Sequence, residues 1–228
     1  ESGSAKSTGE TDMKLFTADI SPNCRRVEAT LHHLGLFGEA EVIRLNLLAG
    51  EHRREDLMAA NPNCKVPTLV LEDMNLWEAN PTMIYLADRA GAEAFCPTDP
   101  KTRFEVLRWM SWEVQHYNRA VANITWETLV KPWFDMGDPD QGRIDEGLKN
   151  FHRFAAVLNG QLSGRSFILG DNVTAADFAV GAFSSLALHK QSQVPVDDYP
   201  EVKAWYLRLE NVPAWAKTAP PPRAEAAE

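Results

Sequence analysis

This sequence is short of positive charge, of cysteine and of long apolar runs, and each shortage removes a class of function. Against 32 Asp and Glu stand only 23 Lys and Arg, for a net charge of −9. That is the wrong sign for a protein whose main partner is a nucleic-acid backbone. The three Cys are irregularly spaced and form no disulfide framework, which a chain of 228 residues does not need. A cytoplasmic, reducing setting is therefore expected. No apolar run is long enough to span a membrane, and no charged-then-apolar opening marks a secretory signal. No metal site and no internal repeat is expected.

What is present divides the chain. Residues 1–12 are small, polar and patternless, and read as an artificial, disordered extension ahead of a natural start at Met13. Residues 218–228, with their Pro run and Ala-Glu repeats, read as a disordered tail. Between them, residues 13–90 show a strand at Lys14–Thr17, a helix from Pro22 to about Leu34 stopped by Gly35, and a strand at Ala40–Leu45. A short helix at Arg53–Asn61, strands at Thr68–Leu71 and near Leu76, and a helix over Ala79–Arg89 complete the unit. This order predicts a small α/β layer with a mixed sheet. Residues 91–100 are a linker rich in breakers, and 101–217 carry only helical patterns. Long helices are expected from Lys101 to Asn123, with a further piece to Phe134, and over Arg143–Leu162, Thr174–His189 and Pro200–Glu210.

The most informative local pattern is Asn61-Pro62-Asn63-Cys64-Lys65-Val66-Pro67 ahead of an apolar strand, followed by Trp77-Glu78-Ala79-Asn80. A proline there cannot donate to a central ladder. It fits an edge, or a cis bond that presents the N–H and C=O of Val66 to something peptide-like. The cluster His52-Arg53-Arg54 offers positive charge to a small anion. Thr174-Ala175-Ala176-Asp177 is a capping box flanked by Val173 and Phe178 at staple positions, and its acid is read as structural rather than catalytic.

Taken together with Ser21-Pro22-Asn23-Cys24-Arg25-Arg26 and the closing Pro200-Glu201-Val202-Lys203-Ala204-Trp205, these segments resemble the cytosolic glutathione transferases. The resemblance covers Met13 to about Ala216 and is greatest with the serine-type, phi- and theta-like branch found in bacteria. It implies a thioredoxin-like α/β N-terminal domain followed by an all-α C-terminal domain, a homodimer, and glutathione as co-substrate with a hydrophobic small-molecule electrophile. It implies that His52 and Arg53 meet the glycyl carboxylate of glutathione, with Lys65 adding charge. Val66 would pair with the cysteinyl backbone, and Glu78 and residue 79 would hold the γ-glutamyl end.

Ser21 has two compatible readings. As an N-cap with Pro22 at the first helical position it needs no ligand. By resemblance, its hydroxyl donates to the glutathione sulfur at a helix N-terminus, where the dipole favours the thiolate. Cys24 occupies the last position of a Cys-x-x-Cys-like spacing whose first position is Ser21, and reads as a buried residue rather than a redox centre. One departure stands out: the family has Ser where this chain has Ala79, so one hydroxyl is missing from the γ-glutamyl site, with Asn80 or Thr82 as candidate replacements. The electrophile is expected near Ile20, with Trp112 and His116 as candidates from the long helix. Two alternatives stay open: a non-catalytic binding or scaffold protein of the same fold, and a glutathione-dependent peroxidase or disulfide reductase.

Overall fold

The computed structural model describes residues 13–220; the expectations for 1–12 and for the tail beyond 220 lie outside the described residues. Four strands, β1 (Met13–Thr17), β2 (Ala40–Arg44), β3 (Thr68–Leu71) and β4 (Asn75–Trp77), form one mixed sheet in the order β2-β1-β3-β4. β2 runs parallel to β1, β3 antiparallel to β1, and β4 antiparallel to β3. Thr17 pairs with Arg44, Phe16 with Thr68, and Thr68 with Trp77. The ends of β1, β2 and β4 and the start of β3 therefore meet at one edge of the sheet. The residues that follow, or precede, each of these points are the candidate site.

Helix α1 (Pro22–His33) and α3 (Ala79–Arg89) cover one face, burying Val27, Leu31, Met83 and Leu86 against Met13, Leu15 and Leu69. Gly35, at φ 73°, ends α1 where a residue with a Cβ would be strained. On the other face Leu57 of α2 (Glu55–Ala60) meets Phe16 and Leu45. The single helix expected over Arg53–Asn61 is instead a 3₁₀ turn, Glu51–Arg53, and α2, because Arg54 between them is extended at ψ 146°.

In the second domain α4 (Pro100–Trp112), α5 (Asn118–Thr125) and α6 (Lys131–Phe134) are joined through π turns at Glu113–Tyr117 and Trp126–Val130. Every junction residue keeps right-handed helical angles, so the two helices expected here are one rod. It starts inside the expected linker: Asp99 caps it, accepting the Thr102 N–H at 3.1 Å. α7 (Gln141–Leu162) packs along α5 and is capped by Asp140.

The helix expected over Thr174–His189 breaks into α8 (Ala175–Val180), a 3₁₀ turn Gly181–Phe183, and α9 (Ser184–Ala187). At the break, a Cβ on Gly181 would lie 2.1 Å from Leu209 of α10 (Pro200–Glu210), so only glycine admits this approach. A last short helix, α11 (Pro213–Ala216), was not legible in the sequence. Thr218 and Ala219, expected in the disordered tail, are held by hydrogen bonds to the carbonyls of Trp215 and Ala216.

Asp177 lies fully buried and accepts four hydrogen bonds: from the Thr174 N–H and hydroxyl, the Ile168 N–H and the Trp205 indole N–H, at 2.8–3.0 Å. Burial pushes its carboxyl up, and these donors oppose the shift. All its acceptor capacity is spent inside the protein, which fits the structural reading.

The domains are pinned by a buried pair. Arg26 of α1 meets Glu113 in the first π turn at 2.5 Å, and also Asn80 of α3 and the Ala179 carbonyl of α8. Asn118 completes the set, donating to Glu113 at 2.7 Å and to Ala179. Buried pairs contribute little net stability, but removing one partner strands the other charge. The pair therefore fixes geometry.

Candidate active site

Ser21 stands where β1 turns into α1. It is the N-cap, extended at ψ 115°, and its hydroxyl oxygen accepts the Cys24 N–H at 3.3 Å. Capping consumes a lone pair of the oxygen, not its proton. The same hydroxyl can thus cap the helix and donate to a sulfur above it, as both readings require. Cys24 is completely buried, and burial pushes its thiol up to about 11, with the neighbouring Ser21, Thr17 and Ala18 backbone only partly opposing the shift. A thiol so shifted is almost entirely protonated at neutral pH, which argues against a redox role.

Around this edge the other candidates take their places. The Val66–Pro67 bond is cis, and among the described residues neither the N–H nor the C=O of Val66 makes a backbone hydrogen bond. Lys65 beside it is exposed. Glu78 holds φ 71°, unusual for a residue with a side chain, and starts α3 with an exposed side chain that caps nothing. His52 and Arg53 lie in the 3₁₀ turn beyond β2; the His52 Nδ1 is buried without a partner.

Ala79 is 3% exposed, and neither proposed substitute for its missing hydroxyl is available. Asn80 spends its side chain on Arg26, Glu113 and the Met110 carbonyl. Thr82 is buried and donates to the Glu78 carbonyl at 2.9 Å.

Beside Ser21 opens a cavity of about 700 Å³ between the Asp19–Ser21 loop and the helical domain, within the usual size range of small-molecule sites. Ile20, 42% exposed, is among the residues that line it. Trp112 and His116 do not. They pack in an aromatic cluster with Tyr117 and with Phe154 of α7. The reason is reach: the cavity faces the second half of the rod, and Trp112 precedes Ala122 by ten residues, about 15 Å along a helix.

The wall is made by Ala122, Trp126, Val130 and Trp133, spaced four, four and three residues apart along one face. That spacing was readable in the sequence. Its side was not, because a core stripe looks the same. Phe183 and His189, after the break at Gly181, also line the cavity, and no local signal marked them. The cavity is closed near Ser21 by Arg25, which forms a bidentate pair with Glu210 and stacks over Trp215 at 4.5 Å. Burial alone would raise the Glu210 carboxyl, but Arg25, Ser184 and the Trp215 indole outweigh it and hold it below the usual carboxylate range.

The fold and site thus define a two-domain protein in which a thioredoxin-like layer presents the cis Val66–Pro67 edge of its sheet and a serine-capped helix to a largely apolar cavity beside a helical domain. The family model for the glutathione S-transferase N-terminal domain matches residues 20–89, and that for the C-terminal domain matches 117–213. A probable glutathione S-transferase GSTF2 of Oryza sativa subsp. japonica is 30% identical over 91% of this chain and 95% of its own. Glutathione S-transferase F13 of Arabidopsis thaliana is 28% identical over 91% and 95%. Among solved structures, glutathione transferase F7 from Populus trichocarpa matches with a TM-score of 0.81 at 27% identity, over 91% of this chain and 97% of that one. A glutathione S-transferase-I bound with lactoylglutathione matches at 0.79 and 26%, over 91% and 98%. The chain belongs to the glutathione S-transferase family.

Proposed function

We propose that this protein binds glutathione along the sheet edge and adds its thiolate to a hydrophobic electrophile held in the cavity. The observation that carries this reading is the position of Ser21, at once the cap of α1 and a wall of the cavity. The helix N-terminus and the hydroxyl together favour the sulfur anion. Val66 pairs with the cysteinyl unit as an added strand would. His52, Arg53 and Lys65 receive the glycyl carboxylate, and the N–H groups opening α3 after Glu78 receive the γ-glutamyl end. The orphaned Nδ1 of His52 is a polar group that such a ligand would satisfy. We further propose a cytoplasmic homodimer, in keeping with the family.

Calorimetric titration with glutathione, followed by a conjugation assay with benzylic and enone electrophiles, tests the proposal. Millimolar or tighter binding together with turnover supports it. Binding without turnover on any electrophile, or on hydroperoxides, leaves a ligand-binding protein of the same fold. Ala79 favours that second reading, because Asn80 and Thr82 do not replace the hydroxyl it lacks. Turnover on hydroperoxides alone would point to a reductive use of the same thiolate.

A further inference from the structure

His189 sits beyond α9, in the part of the chain that turns back from Ser184–Ala187, and its ring lines the cavity that Ser21 also lines. Two contacts fix the ring. Its Nδ1 receives the backbone N–H of Gln191 at 3.2 Å, and its plane meets Trp133 edge-to-face, with centroids 5.1 Å apart at 76°. A backbone N–H can only donate, so Nδ1 must offer a lone pair, and in the neutral ring the proton then resides on Nε2. Burial and the adjacent Lys190 charge both lower the imidazole from its ordinary range, which favours the neutral ring at physiological pH. The cavity it lines is mostly apolar or aromatic, through Trp126, Val130, Phe183 and Leu186, with Asn123, Arg143 and Ser185 among its polar members. A hydrogen-bond donor of fixed tautomer on a mostly apolar wall is suited to an uncharged acceptor, not to a cation.

We propose that His189 is a specificity-determining residue for the second substrate, donating a hydrogen bond from Nε2 to an oxygen of an aromatic, oxygen-bearing electrophile such as an aryl enone. This inference rests on the conjugation reading above and deepens it. In the addition, the glutathione sulfur bonds to the β-carbon and the C=C π pair moves toward the carbonyl oxygen. The Nε2–H holds the resulting enolate charge without giving up its proton. The α-carbon then takes a proton from water, replacing the one that the thiol lost to solvent on ionising, and no oxidant or reductant is consumed. A neutral donor aimed at the atom where charge develops lowers the barrier more than it strengthens ground-state binding. The effect should therefore fall chiefly on kcat for electrophiles that have such an oxygen.

The test compares trans-4-phenyl-3-buten-2-one with benzyl chloride, at saturating glutathione, for the full chain and for His189→Ala, His189→Phe and His189→Gln. Expected is a loss in kcat on the enone of about ten- to a hundredfold in the Ala and Phe variants, with KM little changed. On benzyl chloride, where no oxygen is there to be held, kcat should fall clearly less than on the enone, so that the enone-to-benzyl ratio of kcat drops about tenfold or more. His189→Gln, which keeps a side-chain N–H, should recover part of the enone rate. A wild-type protein that conjugates both compounds, with variants that lose both equally or lose neither, overturns the inference and leaves the conjugation reading standing. A wild-type protein that conjugates neither overturns that reading, and the inference with it. Should the Ala variant fold poorly, the Phe and Gln variants, which keep the ring volume or the donor, carry the comparison.

Discussion

Removing the Ser21 hydroxyl separates its two roles, because they differ in what they cost. A hydrogen bond to a charged partner contributes about 1.5–3 kcal/mol, and about 1.36 kcal/mol equals one pKa unit. Without the hydroxyl, the thiol of bound glutathione should rise by about one to two units, and kcat/KM near neutral pH should fall about ten- to a hundredfold. The direction with pH follows. The thiolate is the reactive form, so the rate falls as pH drops below the thiol pKa, and raising that pKa moves the whole limb to higher pH. The deficit should shrink in alkaline solution. The capping role is separable: the hydroxyl accepts the Cys24 N–H, and its loss in Ser21→Ala costs about 1 kcal/mol of stability. For a chain of this size that lowers the melting temperature by about 2–4 °C. Ser21→Gly caps almost as well as serine but has no hydroxyl, so it should recover most of the stability and none of the rate. Thiolate absorbance titrations of bound glutathione and pH–rate profiles of both variants read the outcome. A bound-thiol pKa that does not move, with rates within about twofold of wild type in both variants, would refute the assignment.

Three further outcomes are expected. Ala79→Ser should lower the glutathione Kd at least about tenfold by restoring one charge-assisted bond; because the site is buried, the ligand-free variant should be slightly less stable and recover on binding. An unchanged Kd by calorimetry would mean that another group already does this work. Glu210→Gln should cost about 1–3 kcal/mol at neutral pH, since it leaves Arg25 without its counter-charge. The Glu210 carboxyl is held low in the fold, so its contribution is present above about pH 4.3 and lost as pH falls through the folded pKa. Urea midpoints of wild type and variant should converge in acid, and a constant gap would argue against the pair. Asp177→Asn should cost about 2–3 kcal/mol, because an amide nitrogen would face the Thr174 donors. Activity per folded molecule should not change, and a selective loss of kcat would reopen the catalytic reading of this acid.

The sheet, its flanking helices and the capping box were legible because each rests on local chemistry: the Ser-Pro start of α1, Gly35 as a stop, apolar periodicity, and Thr174 three residues before Asp177. The cis Val66-Pro67 bond and the start of α3 at Glu78 lie in short, ordered segments that the sequence also singled out. What was not legible depends on tertiary contact. The break after Val180 falls where Gly181 admits the side chain of Leu209, twenty-eight residues away in sequence. Trp112 and His116 have the aromatic character of a binding wall, yet they face Phe154, and nothing within α4 says which way it faces. The same blindness hid Trp126, Trp133 and His189. Asn80 looked like a free amide and is in fact committed to Arg26, Glu113 and the Met110 carbonyl.

The rod from Pro100 to Phe134 performs two unrelated jobs at its two ends. Met110 and Glu113 grip the first domain, while Ala122 to Trp133 wall the cavity. About two helical turns, residues 114–121, stand between Glu113 and Ala122. Change at the cavity end can therefore accumulate without loosening the joint that keeps α3 in place, whereas change at the Met110–Glu113 end cannot. A lineage, or a protein engineer, seeking a new electrophile has one free surface on this helix and one forbidden one. The boundary between them falls between Asn118, which completes the buried set around Glu113, and Ala122.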